Sequence, residues 1–152
     1  MIREKHIKTF NDFHDIIEQH NSDWDRWYYR GESDPSHILV PKAGRPHFVA
    51  SGVSDVELFE TWCRHAIAYL DKNVENQWDL LAIAQHHGLA TRLFDWTSNP
   101  MIAAFFAVTL PDNSVEHQAE SIIYAHYSSN AFLDTSIYES PFLCKEGIYR
   151  VS

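Results

Sequence analysis

The run from Met101 to Leu110 carries no charge and is bracketed by Pro100 and Pro111, and this restricts the fold more than any other stretch of the chain. Proline is tolerated at the first helical position, where its missing N–H would have no partner anyway, and proline just past the last turn stops a helix. A helix over 101–110 is too short for a bilayer core, which takes roughly 20 apolar residues, so protein has to cover it. It is therefore expected to be buried on most sides and to form the core, with Phe105→Ala costing about 3 to 5 kcal/mol through the cavity left behind. At 152 residues and 45% apolar or aromatic, the chain can bury one such core. A single compact domain over 1–152 is expected.

The other elements follow from periodicity and punctuation. Thr9 precedes Phe10, Phe13, Ile16 and Ile17, recurring at helical spacing, so a helix over 10–20 is expected. The aromatic run from Trp24 to Gly31 reads as a strand that delivers Arg30 to its tip. Residues 32–53, with Pro35, Pro41, Gly44, Pro46 and Gly52, read as a long irregular connection. Ser54 and Glu57 have capping-box spacing ahead of a helix over about 55–72. Asn76 caps another, which Gly88 ends after His86 and His87. A buried strand over 121–127 and a weaker one over 147–151 complete an α/β chain of the α+β kind, with helices packed on a small, mostly antiparallel sheet.

Charge narrows the function classes. Twelve Lys and Arg against 21 Asp and Glu give a net charge of -9, which argues against a surface built to hold phosphate backbones. Cys63 and Cys144 lack CxxC spacing, so neither a disulfide framework nor a zinc knuckle is indicated, and a reducing compartment fits. The mixed-charge N-terminus does not have the pattern of a secretory signal, and no membrane association is expected. The reading is a cytoplasmic protein. Ten histidines are scattered rather than grouped at ligand spacing, and no metal is expected.

Two stretches could carry chemistry. Arg30, between Tyr29 and Gly31, offers a planar, permanently charged fork suited to phosphate or carboxylate, beside a backbone without a Cβ that a ligand could approach. Equally, it could pair with Asp25 or Glu32 as a structural ion pair. The block from Gln85 to Thr97 packs His86, His87, Arg92, Asp95 and Trp96 between two apolar helices. Arg92 could pair with Asp95, Thr91 could bond His86 or His87, and Trp96 could close a pocket beneath them. The alternative is a satisfied polar network that holds the helix junction together. Arg30 and this block are expected to share one cleft.

Tyr29-Arg30-Gly31, Leu39-Val40-Pro41-Lys42, Arg45, the block from Gln85 to Thr97, Asn99-Pro100 and Ala103-Ala104-Phe105-Phe106-Ala107 resemble the FRG-domain family, over residues 28–108. Ala90 and Phe94 stand where family members usually carry Pro and Leu. Residues 128–152 are atypical beside the family, as in a compact variant or a piece of a longer protein. Tyr-Arg-Gly at a strand end is also similar to the first motif of mono-ADP-ribosyltransferases, and this resemblance implies an ADP-ribosyltransferase-like fold. It further implies NAD as the substrate, a protein or nucleic-acid acceptor, and a role as a toxin or defence effector in bacterial and phage conflict, with a cognate antitoxin as partner. On it, Tyr29, Arg30, Gly31, Gln85, Arg92, Asp95 and Trp96 would bind the dinucleotide. Arg30, His86, His87 and a late carboxylate, Glu139 or Glu146, would serve catalysis. A non-catalytic nucleotide- or protein-binding module, and a metal-assisted hydrolase or nuclease using His86, His87 and Asp95, remain alternatives.

Overall fold

The computed structural model describes residues 3–66, 68–70, 74, 76–109, 120–128 and 140–143. It has the α+β character expected, with five α-helices and a two-stranded antiparallel sheet among the described residues. The chain falls into two compact units, Met1–His37 with Asp95–Ser129, and Ile38–Phe94 with Asn130–Ser152. No described helix is long and apolar enough to cross a membrane.

In the first unit, helix α1 (Phe10–Glu18) opens on a capping box in which Thr9 Oγ1 accepts from the Asp12 N–H and Asp12 Oδ2 accepts from the Thr9 N–H at 2.8 Å. Backbone donation from Lys8 and then Thr9 holds the Asp12 carboxyl below its usual range. Strand β1 (Trp27–Glu32) is shorter than expected, because residues 21–26 turn as 3-10 helix. It pairs antiparallel with β2 (Ile122–Tyr127), in a register that sets Trp27 opposite Tyr127 and Arg30 opposite Tyr124. On the other edge of β1, the Tyr29 N–H donates to the Thr97 carbonyl at 2.7 Å and the Thr97 N–H donates back at 2.9 Å. The ring of Tyr29 is 3% exposed, and its hydroxyl lies 2.9 Å from Nδ1 of His20. His20 in turn stacks flat on Trp27 at 3.7 Å between ring centres. These contacts fix the end of α1 to β1.

Helix α5 (Pro100–Val108) begins as the sequence predicts, with Asn99 Oδ1 accepting from the Met101 N–H at 2.9 Å and Pro100 in the first turn. Its packing is the reverse of the expectation. Ala103 and Ala107 are the buried residues, at 0% and 2% exposure, whereas Phe105 is 60% exposed and Phe106 57%. The reason is Gly31. A Cβ there would stand 1.8 Å from the Ala103 carbonyl oxygen and 2.7 Å from the Ala107 nitrogen, so the helix backbone lies directly on the strand. Small residues have to face so close an approach, and the large ones are turned away from it. Truncating an exposed ring leaves no cavity, so the core role and the stability cost expected of Phe105 do not hold.

The core of the second unit forms between α3 (Asp55–Ala66) and α4 (Gln77–His86), from Phe59, Leu81 and Ala84, with Trp62, Cys63, Leu80, Leu89, Leu93 and Phe142 packed around them. Burial pushes the Cys63 thiol pKa up. Asn76 caps α4 by accepting the Asp79 N–H at 2.9 Å, and Gly88, at φ +90, ends it in the left-handed region as expected. Lys42 Nζ donates to the Gly88 carbonyl at 2.7 Å, a cation at the negative end of the helix. The connection expected to be irregular holds two short turns of helix, Lys42–Gly44 and α2 (Pro46–Ala50), the latter started by Pro46. The strand expected over 147–151 lies outside the described residues.

Two outcomes follow from this packing. Gly31→Ala should destabilise the protein by about 3 kcal/mol or more, the upper end of overpacking costs, in chemical denaturation. Burial first, then the nearby charge of Lys5, lowers the His20 pKa below its ordinary 6.5, so the unfolded chain takes up this proton before the folded one does. The stability tied to neutral His20 is present above that ordinary value and lost as pH falls through it to the folded value. The melting temperature should therefore drop between about pH 7.5 and pH 5 more steeply in the wild type than in His20→Phe.

Candidate functional site

Arg30 stands one residue before the point where α5 presses on β1, and strand alternation points its side chain to the face opposite Tyr29 and Gly31. Its Nε donates to Glu32 Oε1 at 2.7 Å, and its Nη1 donates to the Asp95 carbonyl at 2.7 Å. The two side chains are 20% and 15% exposed, so the guanidinium is held from two directions in a partly dry setting. Arg30 thus meets the Asp95 end of the polar block through the backbone oxygen of Asp95. The structural alternative for Arg30, a pair with Glu32, is present in the same arrangement.

His37 extends the cluster. Its Nδ1 lies 3.5 Å from Glu32 Oε2 and its Nε2 lies 3.6 Å from Asp34 Oδ2. The intervening turn is closed by the His37 N–H donating to the Asp34 carbonyl at 3.1 Å, while Asp34 Oδ1 accepts from the Ser36 N–H and hydroxyl. Sequence reading singled out neither Asp34 nor His37, although an Asp-Pro-Ser-His turn directly after a strand that ends Arg-Gly-Glu is a readable signal. Trp96 lies beside His126, 5.9 Å between ring centres. Tyr29, expected to offer its ring to a ligand, is instead buried and engaged with His20. The open backbone expected at Gly31 is occupied by α5.

The second unit holds Gln85, His86, His87 and Arg92. Arg92 pairs with Asp55 and not with Asp95: Nε donates to Oδ2 at 2.9 Å and Nη2 to Oδ1 at 3.0 Å, a two-pronged bond that ties the loop after α4 to the start of α3. The face of the same guanidinium covers the Phe142 ring at 4.6 Å. Thr91, 2% exposed, donates its hydroxyl to Gln85 Oε1 and accepts the Leu93 N–H at 3.2 Å, so neither histidine is its partner. His86 and His87 are exposed, with their rings 5.6 Å apart and nearly perpendicular. Gln85, Thr91, Arg92 and Asp55 are thus joined in hydrogen-bonded contacts within the second unit. Glu139 and Glu146, the expected late carboxylates, lie outside the described residues.

Among the described residues, the grouping able to offer three metal ligands within 4.8 Å is His14, Asp15 and Glu18, all exposed on α1. It includes none of His86, His87 and Asp95.

Residues 25–116 match the family model of the FRG domain, which covers more than half of the chain. The chain belongs to the FRG-domain family. Comparison with curated proteins and with solved structures finds no match. The matched region of this FRG domain takes in β1 with Arg30 and Gly31, the Asp55–Arg92 pair and α5, so it contains both clusters described above.

Arg92→Met keeps much of the side-chain length but loses both charged hydrogen bonds. It should destabilise the protein by on the order of 1 to 3 kcal/mol in urea denaturation, with the Asp55 carboxylate left unmatched. His86→Ala, at an exposed position, should change stability by less than about 0.5 kcal/mol.

Proposed function

We propose that the Arg30 end of β1 binds the pyrophosphate of a dinucleotide, NAD foremost, and that the chain is an ADP-ribosyltransferase or NAD-cleaving enzyme. The observation that carries this reading is a guanidinium fixed at a strand end between Glu32 and the Asp95 carbonyl. Such fixing removes the rotamer entropy that a lysine or a mobile arginine would lose on meeting phosphate. Trp96, partly exposed, supplies an aromatic surface in the same unit. The carboxylate next to the anchor is Glu32.

The chemistry would break the bond between the anomeric carbon of the ribose and the nicotinamide nitrogen. Nicotinamide leaves with the bonding electron pair, and an acceptor oxygen or nitrogen, or water, attacks the carbon and gives up its proton. Positive charge grows on the sugar as the bond breaks, and a carboxylate set toward it lowers the barrier electrostatically. In a bacterial or phage setting such an activity suits a toxin or defence effector that a cognate partner holds in check.

A second reading is a non-catalytic nucleotide- or protein-binding module. It is favoured by the Glu32 pairing, which already matches the charge of Arg30 and leaves less of it for a ligand. Isothermal titration with NAD and with ADP-ribose, beside a nicotinamide-release assay on protein, DNA and RNA acceptors, separates the two. Turnover that is lost in Arg30→Lys and in Glu32→Gln, with both variants folded, supports the enzyme. Binding without turnover supports the module. Neither binding nor release at millimolar NAD removes the dinucleotide reading and leaves Arg30 as a structural ion pair.

A further inference from the structure

Among the described residues, helix α5 leaves one face uncovered, and its residues are arranged as an interface would need. At roughly 100° per residue, Met101, Ile102, Phe105, Phe106 and Val108 fall within an arc of about 160°, opposite Ala103 and Ala107. Their exposures run from 44% for Ile102 to 74% for Val108, so all five stand out from the unit. A helix that is apolar on every side is ordinarily covered on every side. Between Thr97 and Thr109 there is no charged residue, in a chain whose net charge is -9.

We propose that this face of α5 pairs with the same face of a second copy of the chain across a twofold axis. The charge distribution selects this occupant. Acidic surfaces elsewhere repel a second copy, whereas an uncharged face meets its own image without opposing like charges. An acidic or basic partner finds no complementary group on it, and an anionic lipid surface is repelled by the chain as a whole. Area supports the same occupant. Five large side chains more than two-fifths exposed present on the order of 500 Å² of apolar surface, near the top of what a monomer usually leaves open. Two such faces together would bury about 1,000 Å², the least that a specific interface between proteins is expected to bury. The aromatic content, two adjacent phenylalanines beside a methionine, matches the residues that concentrate binding energy at interface centres. This inference does not depend on the dinucleotide reading.

The test is the mass of the full chain by sedimentation and light scattering across micromolar concentrations. The wild type is expected to be a dimer, and the double variant Phe105→Glu with Phe106→Glu a monomer, its self-association weakened roughly thirtyfold or more. Its circular dichroism should be unchanged, since neither ring is in the core. A wild type that is monomeric throughout, or a folded double variant that stays dimeric, overturns the proposal. Should the double variant fail to fold, Phe105→Cys in a Cys63→Ser, Cys144→Ser background decides. Efficient linkage of two copies by a short bis-maleimide supports the twofold contact. Its absence shows that the face is covered by other segments of the same chain or by a different partner.

Discussion

The contact between Gly31 and the backbone of α5 governs the first unit. Because the Ala103 carbonyl takes the place where a side chain would begin, the strand can hold only glycine at that position, and the helix can present only alanines toward it. Everything larger on α5 is directed elsewhere. The same contact seats β1, and with it the residue before the glycine. Arg30 is therefore aimed by the strand and then held by its hydrogen bonds to Glu32 and Asp95. The Tyr-Arg-Gly signature joins two distinct tasks, a close-packing glycine and a fixed cation, in adjacent positions.

Much of the fold was legible from the sequence because it rests on local rules. Thr9, Asn76 and Asn99 announced helix starts through their capping side chains, and Gly88 announced a stop through its left-handed backbone. These are interactions between residues a few positions apart. The failures concern partners distant along the chain. Apolar composition marked α5 as needing cover but could not say which side the strand would take, since that depends on Gly31, about 70 residues earlier. Likewise, nothing near Arg92 in the sequence indicates that its carboxylate partner would be Asp55 rather than Asp95, because the choice is made when α3 and α4 pack together.

The candidate site was legible as residue types and less so as an arrangement. The sequence pointed to Arg30 and to the polar block after α4, and both prove to be hydrogen-bonded clusters, but they differ in kind. The Thr91, Gln85, Arg92 and Asp55 network satisfies partly or wholly buried groups and holds a helix junction, which explains why so polar a stretch sits between apolar helices. The Arg30, Glu32 and His37 cluster is graded from the mostly buried pair to a half-exposed imidazole, so one end of it meets solvent. A carboxylate shared between a guanidinium and an imidazole is sensitive to what binds either neighbour, a property that the first network does not have.

The register of the sheet has a consequence for the order in which the protein acquires structure. Trp27 pairs with Tyr127, so the two strands of the first unit are separated by about 100 residues, and closing that distance is a slow, long-range step. As the chain leaves the ribosome, β1 has its glycine and its aromatics in place long before either α5 or β2 exists to cover them. Helices α3 and α4, by contrast, are near neighbours in sequence and can pack while the rest is still being made. Until α5 and β2 have been made, the chain therefore carries an exposed, aromatic-rich strand. It is during that interval, rather than in the finished molecule, that β1 is most open to pairing with the wrong strand.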